Sequence, residues 1–95
     1  MDTEKSEEFY SRLKVELSNT HSWPSDYLYK FIVPTDTDKI ARIHSIFDNT
    51  GAVIEFKQSR KGTYTSISIM VNLNDPDAVI DKYKQVGEVE GVISL

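Results

Sequence analysis

The chain has 95 residues, no cysteine, 39% hydrophobic and 27% charged residues, and a net charge of −4. That length forms one modest core. The lack of cysteine excludes disulfides, thiolate metal sites and thiol nucleophiles, and the acidic balance argues against nonspecific binding to nucleic acid or anionic membrane.

Residues 1–5 are polar and expected to fray. Ser6 has the chemistry of a helix cap, and Glu7 and Glu8 suit the positive end of a helix dipole. Phe9, Leu13 and Leu17 share one helical stripe, which predicts an amphipathic helix of roughly three turns ending near Asn19-Thr20. A helix this short is marginal in isolation and must dock on something. The acidic start MDTEKSEEF has no signal-peptide character. No stretch approaches the ~20 apolar residues of a membrane span, so a cytoplasmic protein is expected. Pro24 bars helix continuation, dividing the chain into an N-terminal helix and linker, 1–22, and a main domain, 23–95.

From Tyr27 the pattern alternates, with Tyr27, Tyr29, Phe31 and Val33 on one face and Leu28, Lys30 and Ile32 on the other. This predicts a strand with its aromatic face inward. Thr35 and Asp38 have the spacing of a capping box, opening a helix that buries Ile40, Ile43, Ile46 and Phe47 and stops at Asn49-Thr50-Gly51.

The next stretch, Ala52 to Leu73, is two alternating runs joined at Lys61-Gly62. Placing the turn there sets Phe56 opposite Ile67, Ile54 opposite Ile69 and Ala52 opposite Val71. A one-residue slip would send the apolar set to the wrong face, so the register is strongly specified. Asp75 and Pro76 then start a helix whose stripe is Val79, Ile80, Tyr83 and Val86, closed by Gly87. Val89 to Leu95 reads as a last strand bent at Gly91.

The order β-α-β-β-α-β predicts an α+β, ferredoxin-like sandwich. Its four-stranded antiparallel sheet has order 4-1-3-2, with both crossover helices on one face. The other face carries Leu28, Ile32, Val53 and Met70, with Tyr64 near the rim. A patch of this kind is seldom left bare. Either a second copy or the N-terminal helix is expected to cover it, with Phe9, Leu13, Leu17 and Trp23 folded over part of it.

The sharpest candidate for chemistry is Ser59-Arg60-Lys61-Gly62 with Tyr64 and Ser66, a small anion site for a carboxylate or phosphate. The competing reading is a plain hairpin turn with solvated basic residues. His21 and His44 lack ligand spacing, so no metal site is expected. Asp36, Asp38, Asp75 and Asp77 sit where carboxylates cap helices. Ser66 and Ser68 lie mid-strand with no histidine in the hairpin, and Pro34-Thr35-Asp36-Thr37-Asp38 lacks the glycines and arginine of an acylphosphatase phosphate loop. Neither an enzyme nor a bound cofactor is expected. RNA recognition on this topology needs aromatic residues where Thr63 and Thr65 stand, which leaves it a remote alternative.

The segment Ser59-Arg60-Lys61-Gly62-Thr63-Tyr64-Thr65-Ser66, with Trp23-Pro24, Tyr29-Lys30 and the terminal Val92-Ile93-Ser94-Leu95, resembles the YbeD-like family of small bacterial proteins. The resemblance covers about residues 23–95. It implies a ferredoxin-like fold similar to the small-molecule-sensing ACT domains, and some members are described as lipoic-acid-binding regulatory proteins. Many members carry a glycine where this chain has Val33-Pro34-Thr35, which tells against an amino-acid effector site at that turn.

Residues and resemblance together lead to the expectation of a noncatalytic regulatory or adaptor domain. It would act on a protein partner or a second copy through the open sheet face or a strand edge. The alternative is a sensor of lipoate or another carboxylate at the hairpin.

Overall fold

A computed structural model describes the backbone of residues 3–95 and the side chains from Glu7 onward. The expectation for residues 1 and 2 lies outside the described residues. The elements are α1 (Thr3–Thr20), β1 (Ser25–Pro34), α2 (Thr37–Ile46), β2 (Val53–Gln58), β3 (Tyr64–Leu73), α3 (Pro76–Gly87) and β4 (Ile93–Ser94). The four strands form one antiparallel sheet in the order β2-β3-β1-β4, the expected order read from the opposite edge.

Strand alternation places the core. Tyr29, Phe31 and Val33 of β1 and Ile67 and Ile69 of β3 are wholly buried on one face, against Ile43 of α2 and Val79 and Val86 of α3. The hairpin register pairs Ile54 with Ile69 and Phe56 with Ile67, as the alternation requires. Phe56 sits on the outer strand, where the helical layer runs out. It stays about half exposed, partly covered by the stacked ring of His44, 6.3 Å away.

The α2 cap differs from expectation. Asp36, not Thr35, accepts from the backbone N–H groups of Asp38 and Lys39. Thr35 is still engaged with the hairpin: its N–H donates to the Thr63 carbonyl at 2.9 Å and its Oγ1 lies 2.9 Å from Thr65 Oγ1. A residue tied into strand pairing is not free to turn and cap. At α3, Asp75 caps by accepting from Ala78 N–H, and Pro76 opens the first turn.

The N-terminal helix begins at Thr3, so Ser6 lies inside it, and it does not cover the open sheet face. It packs alongside α3. Lys14 Nζ is 3.0 Å from Asp77 Oδ1, Lys84 Nζ sits 5.3 Å from the centroid of the Tyr10 ring, and Trp23 Nε1 donates to the Leu17 carbonyl at 3.2 Å. Leu17 joins the core while Phe9 stays exposed. One buried leucine with a partly buried Leu13 makes too narrow a stripe for a sheet face, but it fits the groove beside a neighbouring helix.

The last strand is also shorter than its sequence suggests. Val89 is buried in a turn, its N–H donating to the Val86 carbonyl at 2.9 Å, and only Ile93 and Ser94 pair with β1.

Between the sheet and α3 lies a tyrosine cluster. Tyr29 donates its hydroxyl to the Val79 carbonyl at 2.9 Å, and the Tyr27 and Tyr83 hydroxyls are 2.8 Å apart. Burial raises the Tyr29 and Tyr83 phenols well above their ordinary 10.0, because the phenolate loses hydration there. A raised folded value means this contribution to stability is complete below pH 10 and is lost as the pH climbs above it. The urea midpoint should therefore be insensitive to these two groups up to that pH and then decline. Tyr83→Phe should make the decline shallower; an unaltered alkaline profile in that variant would contradict the burial of its hydroxyl.

Candidate functional site

The face of the sheet opposite the helices is built by the alternate residues of all four strands. Directly paired residues share a face, so the pairing defines rows across it. The first row is Val53–Met70–Leu28, the second Glu55–Ser68–Lys30, and the third Lys57–Ser66–Ile32–Ile93. Leu95 extends the second row: its N–H donates to the Lys30 carbonyl at 2.9 Å, and alternation from Ile93 puts its side chain on this face. Tyr64 pairs with Pro34 in a fourth row at the hairpin end.

Exposure follows the rows. Val53 is 64% exposed, Leu28 45% and Met70 42%, and Ile93 and Leu95 exceed half. Ile32 is partly covered. All four residues expected on the open face, Leu28, Ile32, Val53 and Met70, therefore stand together, and Tyr64 is at the rim. Sequence reasoning missed Ile93 and Leu95. The bend at Gly91 is legible in the sequence, but the register in which the segment after it pairs with β1, Ile93 opposite Ile32, is not.

Gly91 has a φ of +83°, and a Cβ there would meet Pro34 Cγ at 3.1 Å and Cδ at 3.2 Å. Both the left-handed backbone and the close approach favour glycine. Gly91→Ala should cost about 1–2 kcal/mol and loosen Ile93 and Leu95 from the face. Amide exchange at Leu95 would report it by rising with the substitution.

The polar hairpin candidates divide between two places. Ser59, Arg60, Lys61 and Gly62 form the loop, with Gly62 at φ +73°. Ser59 closes it: its N–H donates to the Tyr64 carbonyl at 2.7 Å, its carbonyl accepts from Gly62 N–H at 2.9 Å, and its Oγ accepts from Tyr64 N–H at 3.1 Å. Arg60 and Lys61 are exposed and in no ion pair among the described residues. Tyr64 and Ser66 belong to the sheet face rather than the loop.

The two histidines are separated. His44 Nδ1 on α2 is 3.4 Å from Oδ1 of Asp48 in the turn that follows, whereas His21 Nδ1 is 3.4 Å from Ser25 Oγ at the start of β1. Among the described residues no three His, Cys, Asp or Glu side chains gather as metal ligands, and no helix is long and apolar enough to cross a membrane.

In comparisons with known proteins, no curated protein and no solved structure matches the chain. A family model does, over residues 18–95, from the end of α1 through β4. By that match, which agrees with the YbeD-like pattern in the hairpin, the chain belongs to the family described as protein of unknown function DUF493.

Proposed function

We propose that the chain is a noncatalytic regulatory or adaptor domain with a ferredoxin-like sandwich fold, working through protein contacts on its open sheet face. The observation that supports this is the apolar row Val53–Met70–Leu28, extended by Ile32, Ile93 and Leu95, on a face that α1, α2 and α3 leave uncovered. Contiguous apolar surface of this kind marks interaction sites. Ser66 and Ser68 lie on that face, while His44 lies on α2 behind the sheet, so neither of these serines has that histidine beside it as a general base. Affinity capture with the intact chain and with Met70→Glu tests the reading. A partner held by the first and lost by the second is expected; equal retention of every bound protein by both would overturn it.

A carboxylate or phosphate sensor at the hairpin is the second reading, supported by the exposed Arg60 and Lys61 beside Tyr64. Titration with lipoate and with phosphate should then shift the amide resonances of Lys61, Gly62 and Tyr64. Unmoved resonances at saturating ligand would remove it.

A further inference from the structure

We propose that the occupant of the open face is a second copy of this chain, stacked sheet to sheet about a two-fold axis that runs along β3. This rests on the reading of that face as a protein-docking surface, and it specifies the partner. The argument comes from the charge pattern of the second row. Glu55 on β2 and Lys30 on β1 flank Ser68 of β3. They stand two strand spacings apart, about 10 Å, with Ser68 between them, and do not pair with each other. Neither belongs to an ion pair among the described residues.

An axis along β3 places β2 of one copy over β1 of the other while keeping each row at its own level. Glu55 then faces the second copy's Lys30, and Lys30 faces its Glu55. At the level of the first row, Val53 meets Leu28 and Met70 meets Met70, so that row is covered by its own complement, with β4 outside the overlap. At the third row Lys57 lies over Ile32, where its aliphatic stem shields apolar surface and its ammonium reaches the rim. A two-fold across the strands through the second row would instead set Glu55 on Glu55 and Lys30 on Lys30, which like-charge repulsion disfavours. Isologous contacts need a self-complementary patch. The second row supplies one in only one of these two orientations. Methionine at the centre adapts to its own twin across a stacked interface.

Sedimentation of the full chain over a wide concentration range tests the proposal. The mass should double from 10.9 kDa as concentration rises. Glu55→Lys and Lys30→Glu should each weaken dimerisation at least about tenfold, and the two reversals combined should restore it, because the swap rebuilds both pairs. Both residues are exposed on the sheet, and far-UV circular dichroism of each variant checks that the fold is kept. A chain that stays monomeric throughout, a dimer indifferent to the single reversals, or a double variant weaker than either single overturns the second copy as occupant. If capture sensitive to Met70→Glu persists in such a case, the open face remains a docking surface for another protein. If that capture fails as well, both readings fall.

Discussion

Phe31→Ala is expected to lower the unfolding free energy by about 3–5 kcal/mol, a large share of the ~5–15 kcal/mol typical of a domain. Phe31 is wholly buried, stacked 5.7 Å from Tyr29 and edge-on 6.1 Å from Tyr83. Removing the ring leaves a cavity bounded by other aromatic side chains, which are too rigid to collapse into it. Phe56→Ala is the control, since the same ring on β2 is 47% exposed and should cost less than about 1.5 kcal/mol. Urea unfolding of both variants measures the difference. Equal losses would mean that the sheet does not present β1 to the helices in the way its pairing requires.

Removal of residues 1–22 is expected to lower the melting temperature substantially while leaving association through the open face intact. Leu17 is 5% exposed and belongs to the core, and truncating a buried leucine typically costs about 2–5 kcal/mol. Partly buried Leu13 adds a smaller share, and the Lys14–Asp77 pair is exposed, where surface pairs contribute ~0–1 kcal/mol. Leu17→Ala in the full chain should therefore reproduce most of the loss. The helix lies against α3, behind the sheet, so its removal leaves Met70 and its neighbours as they were. A thermal melt and a sedimentation run on the truncated chain check both halves. Unchanged stability would refute docking on α3, and an altered self-association would place α1 on the wrong side of the sheet. The matched family region begins at residue 18, so most of α1 precedes it.

The features legible in sequence are those fixed within a few residues of one another. The hairpin register follows from alternation on both sides of Gly62. The start of α3 follows from Asp75-Pro76, a capping side chain followed by a residue whose missing N–H costs nothing there. Asn49 and Gly51 both take positive φ at the end of α2, as their short or absent side chains allow. The same period-two logic places Leu28, Ile32, Val53 and Met70 on one face, and the strand pairing has them there.

Where structure departs from local pattern, the cause is competition between neighbours that are distant in the chain. Thr35 has the chemistry of a cap, but Thr63 and Thr65 hold it in strand pairing, and Asp36 caps in its place. Val89 to Leu95 reads as a strand bent at Gly91, yet Val89 lies in a turn and the close approach of Gly91 to Pro34 leaves two residues to form β4.

Which residues face inward is written in the chain, because period and turn chemistry are local and each strand carries its own pattern. The seat of α1 beside α3, and the place of Ile93 and Leu95 on the exposed surface, arise only when distant parts of the chain meet. Those outcomes depend on which preformed groove best accepts a narrow apolar stripe, and on how far a short terminal segment reaches along β1. Such choices compare surfaces that exist only once the rest of the chain has folded.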